Sequence, residues 1–283
     1  MGAYSFSYAM FRIVQNVGLI FRNEPSRSRL PMLLTYCRLV FKYRLGIALL
    51  KLPIRQEIIF GFTVKFFDYS VFLFLFEEIF ICKQYDFKAT SYRPVILDCG
   101  SNIGMSLLYF KRVYPDCVLV AFEADRKTFE LLKENVQGNK LRDVILVNRA
   151  VLDRTGPVEF YSDPGLPGSL AMSANPERGL KARTMIEAIT LSEYLHSEID
   201  FLKMDIEGAE GRVLRELADR NKLKLVKEMV FEYHHHERPA EDALSGVLAI
   251  LEQNGFGYEI CDMIPPPFQR GRFRGMLIYA YQK

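Results

Sequence analysis

From Pro94 onward, short apolar runs alternate with amphipathic segments of helix length, and this alternation limits the chain to few folds. Val95-Ile96-Leu97-Asp98-Cys99, Leu119-Val120-Ala121-Phe122 and Val144-Ile145-Leu146-Val147 each read as a strand. The spacing predicts helices over Ile103–Val113 and Lys127–Val136, the second closed by Gly138. Strands joined through helices run parallel, and continuous apolar strands are buried on both faces. The series resumes with a strand over Phe201–Asp205, a helix over Glu210–Ala218, a strand over Met229–Glu232 and a helix over Ala240–Gln253 ended by Gly255. Val158–Tyr161 reads as a short extra strand, and Asp163–Gly179, rich in Gly, Pro and Ser, as a loop. The last two strands, Tyr258–Cys261 and Met276–Tyr281, are joined through Pro265-Pro266-Pro267 and Gly275. That link is too short and too rich in Pro and Gly for a crossover helix, which predicts antiparallel neighbours. The expectation is an α/β protein with a mostly parallel, doubly wound sheet finished by a C-terminal antiparallel hairpin.

The front of the chain is different. Residues 1–60 read as a helical extension in two pieces, Met1–Phe21 and Leu30–Lys51, broken by Asn23-Glu24-Pro25-Ser26. The catalytic domain is expected over 61–283, opening with a strand over Phe62–Phe66 and a helix over Tyr69–Ile81. Nine Lys and Arg stand against two acids in residues 1–60, while the whole chain carries a net charge of only +3, so the remainder is acidic on balance. A basic, apolar front end suits peripheral contact with a membrane surface or an anionic partner; a helical cap with solvated charges is the simpler reading. No run reaches the ~20 apolar residues a membrane span needs. The five cysteines are scattered, with no CxxC pair, which argues for a reducing, cytoplasmic setting and against structural zinc.

Four motifs carry chemistry. Asp98-Cys99-Gly100-Ser101-Asn102-Ile103-Gly104 sits where the first strand turns into its helix, at the carboxyl edge where open α/β sheets bind ligands. Gly100 and Gly104 permit backbone conformations and close approaches denied to other residues. Glu123 closes the second strand, 23 residues after Gly100, where an acid can accept hydrogen bonds from both ribose hydroxyls of an adenosine. Nicotinamide dinucleotides and S-adenosylmethionine both carry that ribose. A GxGxxG loop would favour the pyrophosphate of the former; here Asn102 holds the middle Gly position and the third Gly is missing. Adenosylmethionine has no phosphate, and needs only room for its methionine part, with Asp98 and nearby backbone groups beside its ammonium and carboxylate.

The third motif, Lys203-Met204-Asp205-Ile206-Glu207-Gly208-Ala209-Glu210, returns to the same sheet edge with three acids. Glu210 reads as a helix-starting residue that complements the dipole, and Asp205 and Glu207 as functional. The fourth, Glu232-Tyr233-His234-His235-His236-Glu237, ends the next strand, where alternate residues share a face, so that Glu232, His234 and His236 converge. A general base, a divalent metal site with Asp205, Glu232 and His234 as candidate ligands, and a solvated strand end all remain open.

These segments resemble the FkbM family of methyltransferases: Val95–Ser106 (VILDCGSNIGMS), Phe122-Glu123-Ala124, Asn148-Arg149-Ala150-Val151 and above all Ile199–Glu210 (IDFLKMDIEGAE). The resemblance spans roughly residues 60–263. It implies a Rossmann-like class I methyltransferase fold, S-adenosylmethionine as methyl donor, and O-methylation of small-molecule, sugar or polyketide hydroxyls. It also implies that Gly100, Ser101, Asn102 and Gly104 line the cofactor, that Glu123 holds the ribose, and that Ala150 and Val151 lie near the adenine. Asp205, Glu207 or His234 would activate the acceptor, directly or through a metal. The alternatives are an NAD(P)-dependent oxidoreductase, against which the broken glycine fingerprint stands, and a non-catalytic nucleotide-binding module. No nucleic-acid partner is expected, since the acidic core lacks a basic stripe apart from Arg270, Arg272 and Arg274.

Overall fold

A computed structural model describes residues 6–162, 182–235, 244–262 and 274–283. The loop expected over Asp163–Gly179, most of the link through Pro265–Pro267, His236, Glu237, Arg270 and Arg272 lie outside the described residues.

The chain divides into two compact units, Met1–Asp86 and Phe87–Lys283. The division expected at residue 60 is therefore corrected. Strands β1 (Gln56–Ile59) and β2 (Phe62–Lys65) form an antiparallel hairpin straddling that point, so the chain cannot be parted there without tearing a ladder. In the first unit, α1 (Phe6–Asn23) and α2 (Ser26–Phe41) are followed by a π-helical stretch, Lys42–Leu49; beyond the hairpin come α3 (Tyr69–Phe76) and a π-helical turn to Ile81. Asp68 caps α3 by accepting from the Ser70 and Val71 amides. Burial of polar groups here is paired throughout: Tyr36 donates to Glu77 at 2.9 Å, Arg12 meets the same carboxylate at 2.6 Å, and Glu57 sits between Arg38 (2.6 Å) and Lys42 (2.8 Å).

The second unit carries the expected sheet. Its strands are β3 (Val95–Cys99), β4 (Val118–Phe122), β5 (Val144–Val147), β9 (Ile199–Met204), β10 (Val226–His235), β11 (Phe256–Asp262) and β12 (Arg274–Gln282). Their order is β11-β12-β10-β9-β3-β4-β5. The contacts β4–β5, β3–β4, β3–β9 and β9–β10 are parallel, while β12 lies antiparallel between β10 and β11, as predicted for the last hairpin. Helices α4 (Met105–Val113), α5 (Arg126–Gly138), α6 (Glu210–Asp219) and α7 (Leu244–Gln253) intervene. α4 begins two residues later than its apolar pattern suggests, because Asn102 and Gly104 take left-handed backbone conformations (φ 48° and 92°) that no helix admits.

A second, three-stranded sheet was not foreseen. β6 (Ala150–Leu152) pairs in parallel with β8 (Ala182–Thr190), and β7 (Gly156–Ser162) pairs antiparallel with β8; the short strand expected at Val158–Tyr161 is the middle of β7. At the centre of the large sheet every residue of β9 is buried, as is β3 from Ile96 onward. Phe201 stacks on Phe87 with centroids 4.2 Å apart. Because β3, β4, β9 and β10 all run one way, their carboxyl ends bring Gly100, Glu123, Asp205 and His234 to one edge.

Candidate functional site

The floor of this edge is an ion pair between two strands. Asp98 and Lys203 are register partners on β3 and β9, and both are almost wholly buried, at 0% and 2% exposure. Lys203 Nζ lies 3.3 Å from Asp98 Oδ1 and donates to the carbonyls of Gly100 (2.6 Å) and Cys99 (3.2 Å); Ser106 Oγ donates to Asp98 Oδ2 at 2.5 Å. Burial pulls the Lys203 ammonium down, but the carboxylates of Asp98 and Asp205 outweigh it and leave the pKa raised. Asp98 thus supports the loop from beneath. Its carboxylate is enclosed by Lys203 and Ser106.

Above this floor the loop turns sharply. Gly100 (φ 78°) and Ser101 both donate their amides to the Phe122 carbonyl, at 3.0 and 2.9 Å, and Ser101 Oγ donates to the Asp98 carbonyl at 2.8 Å. Asp205 donates its amide to the Cys99 carbonyl at 3.0 Å, drawing the third motif against the first. A Cβ on Gly100 would overlap the Asp205 carbonyl oxygen, and one on Gly104 would stand 2.7 Å from Leu132 Cδ1. Glu123 is buried at the end of β4. Its Oε2 accepts from the Asn102 amide and its Oε1 from the Asp125 amide, each at 2.9 Å. Burial outweighs these two bonds and lifts its pKa to about 7. Asn148 Nδ2 donates to the Glu123 carbonyl at 2.8 Å and fixes the chain just after β5.

Ala150 and Val151 fall in β6, not at the end of β5. Both are buried: Ala150 packs with Leu152, Val158 and Ala188, and Val151 belongs to the main core. Their side chains pack the second sheet against the core.

The acids of the third and fourth motifs converge on one imidazole. Glu232 and His234 share a face of β10, as alternation predicts, and His234 is 4% exposed. Its Nδ1 lies 3.1 Å from Glu210 Oε1, and its Nε2 lies 3.1 Å from Glu207 Oε2 and 3.6 Å from Glu232 Oε1. Gly275 on β12 faces this cluster, where a Cβ would collide with the Glu232 carboxylate. Burial alone would lower the His234 pKa, but Glu210 and Glu207 raise it well above the usual value and favour the cationic ring. The same cation holds Glu210 below the usual carboxylate range against its own burial.

Glu210 does open α6, and it also accepts from the Ile206 amide (3.0 Å) and the Gly208 amide (3.0 Å). The chain reaches that turn through left-handed Glu207 (φ 58°) and Gly208 (φ 96°). Asp205 differs from its neighbours. Its Oδ1 is shut off from solvent with no hydrogen-bond partner among the described residues, and burial raises its pKa to about 6. Glu232 is pushed further, to about 8, by burial and by Asp205. One ligand atom each from Asp205, Glu207 and His234 lies within 4.8 Å of the others, a spacing a divalent cation can bridge.

Sequence reasoning missed Lys203 as the loop's anchor, and the dual task of Glu210. The signal for the first was present: a lysine inside an otherwise apolar parallel strand demands a buried partner, and Asp98 is its counterpart on β3.

The model of the Methyltransferase FkbM domain matches residues 98–258. The chain is 30% identical over 219 residues to Methyltransferase 1 of Beauveria bassiana, spanning 68% of this chain and 85% of that one. It is 29% identical over 217 residues to Methyltransferase sdnD of Sordaria araneosa, spanning 65% and 81%. It is 26% identical over 229 residues to the 31-O-demethyl-FK506 methyltransferase FkbM of Streptomyces tacrolimicus, spanning 69% and 86%.

Proposed function

The chain belongs to the FkbM methyltransferase family, and from that premise we propose that it transfers a methyl group from S-adenosylmethionine to a hydroxyl oxygen of a small-molecule or glycan acceptor. The observation that carries this reading is Glu123: a buried carboxylate at the end of the second parallel strand, beside a glycine turn without a pyrophosphate fingerprint. The donor set fits a cationic cofactor. Lys203 is paired with Asp98, which leaves the carboxyls of Asp205, Glu207 and Glu210 around His234, while Glu232, at about 8, is mostly protonated at neutral pH. That surplus of negative charge suits a sulfonium and an ammonium, and suits the pyrophosphate of a nicotinamide dinucleotide badly.

When bound, adenosylmethionine supplies an electrophilic methyl on a positively charged sulfur. The chain's own residues do the rest. Glu123 accepts the ribose hydroxyls, while Gly100, Ser101, Asn102 and Gly104 shape the shelf on which the methionine part rests. Asp205 takes the proton of the acceptor hydroxyl. Its pKa of about 6 leaves it mostly ionised at neutral pH yet still basic enough to draw a proton in the transition state. Glu207, Glu210 and His234 position it, His234 acting as the fixed cation that lets several acids share one edge. Orientation of the acceptor in line with the donor supplies much of the remaining acceleration.

A second reading rests on the 4.8 Å spacing of Asp205, Glu207 and His234. With Nδ1 oriented by Glu210, Nε2, which faces Glu207, would ligate on losing its proton, an arrangement common in metal sites. A divalent cation held by these three residues would polarise the acceptor hydroxyl in place of Asp205 alone.

Calorimetric titration with S-adenosylhomocysteine tests the cofactor. Accepting two hydroxyl donors favours ionised Glu123, whose free pKa is about 7. Affinity is therefore expected to rise about tenfold from pH 6 to pH 8 and then level off. Glu123→Gln should bind weakly with a flat pH profile. Absence of binding by the unaltered chain would remove the proposal. The acceptor class is read with methyl-labelled adenosylmethionine and a panel of sugar and polyketide alcohols. The label is expected to enter a base-stable methyl ether, and to do so after exhaustive chelation. A base-labile product would mean a carboxyl acceptor, and loss of transfer restored by Mg²⁺ or Mn²⁺ would select the metal reading.

A further inference from the structure

Both helices at the front of the chain carry an apolar stripe that the first unit leaves uncovered. On α1, Met10, Phe11, Val14 and Phe21 are 49%, 64%, 66% and 51% exposed. At roughly 100° per residue they occupy one sector of the helix. Asn16 and Ile20, on another side, are buried. On α2, Leu30, Leu34 and Phe41 are 62%, 61% and 64% exposed, at spacings that superpose them on one face, while Met32, Tyr36 and Leu39 occupy the buried one. The exposed run continues through Leu45, Leu49, Leu50 and Leu52. α1 and α2 are therefore apolar on two sides. One side forms the unit's core, and a folded chain does not require the other.

The charge on this segment is equally one-sided. Glu24 and Glu57, the only acids in residues 1–60, are both buried and paired with Lys83 and with Arg38 and Lys42. The fully exposed charges among the described residues up to 60 are Arg22, Arg27, Arg44, Lys51 and Arg55, all positive. Arg29 lies over the ring of exposed Phe21, bringing cation and apolar stripe together. No described helix is long and apolar enough to cross a membrane. Exposed Phe and Leu on α1 and α2, with exposed cations and no exposed acid among the described residues up to 60 (Asp68 and Asp86 are exposed further along the unit), match the surface of an anionic bilayer: the apolar side chains enter the acyl boundary while the cations meet the headgroups.

We propose that the first unit is a peripheral membrane anchor that docks α1 and α2 on anionic phospholipid. A second copy of the chain fits the charge poorly, since it would set one cationic surface against another.

Co-sedimentation of the full chain with phosphatidylcholine vesicles, with and without phosphatidylserine, tests this. The chain is expected to partition onto the phosphatidylserine vesicles and to leave them as salt is raised. The double variant Phe11→Glu/Leu34→Glu should reduce that partition by at least ~10-fold, given the apolar area withdrawn from lipid. Its circular dichroism and melting should be unchanged, because both side chains project outward. Light scattering is run beside it. Failure of the unaltered chain to bind phosphatidylserine vesicles overturns the proposal, and so does a dimer that the double variant breaks, which would assign the stripes to a second copy. Neither outcome bears on methyl transfer, which is read without vesicles through S-adenosylhomocysteine binding and label transfer from methyl-labelled adenosylmethionine.

Discussion

Asp205→Asn is expected to lower turnover on any acceptor that the chain methylates by ~10²–10⁴-fold, the usual worth of a positioned general base, and to leave S-adenosylhomocysteine binding intact. The amide keeps the shape of the carboxyl. It also removes one acid from a cluster in which Asp205 helps to push Glu232 up to about 8, so thermal stability should hold or rise. The sign of the pH dependence follows from the same group. Asp205 must be ionised to accept a proton, and with a pKa of about 6 the unaltered rate climbs through pH 6 and flattens above it. Full turnover by the Asn variant would remove Asp205 from this role and return the choice to Glu207 or a bound cation.

Gly100→Ala is expected to cost more than ~4 kcal/mol of stability, or to leave the chain insoluble. Two independent obstacles meet at this residue. Its φ of 78° lies in the left-handed region, and its missing Cβ is the space occupied by the Asp205 carbonyl oxygen. Both obstacles are backbone, so no rotamer change relieves them. Gly138→Ala is the control: it ends α5 with nothing within 4 Å of a new Cβ, and alanine is the better helix former. A Gly100→Ala chain that melts like the unaltered protein would show that the two motifs are not held as tightly as their hydrogen bonds imply.

Much of the fold could be read in advance because its signals are local. Apolar runs, glycine turns and helix-length spacers follow one another along the chain, so the parallel series, the last antiparallel pair and the shared edge of Gly100, Glu123 and Asp205 all emerged from order alone. The pairing of Glu232 with His234 followed from strand alternation. What was not legible depends on partners distant in sequence. The raised pKa of His234 is set by Glu210 and Glu207, which approach it from the start of α6 and the turn before it. The enclosure of Asp98 depends on Lys203, a residue of another strand. That Ala150 and Val151 belong to a second sheet was not legible, because β6 pairs with β8, a strand beyond the segment expected to be a loop. The boundary at Asp86 was missed because a two-strand hairpin has no compositional mark at residue 60.

The central position of β3 has a consequence for how the protein comes to be. Its two neighbours are β4, just downstream, and β9, whose Lys203 stands about a hundred residues further along the chain. Closing that long loop is slow and entropically costly, and nothing rewards it until both strands dock. Lys203 and the acids that follow β9 therefore join the glycine turn only when β9 adds to β3, and an N-terminal fragment ending before residue 199 would have the first half of the shelf and no chemistry on it.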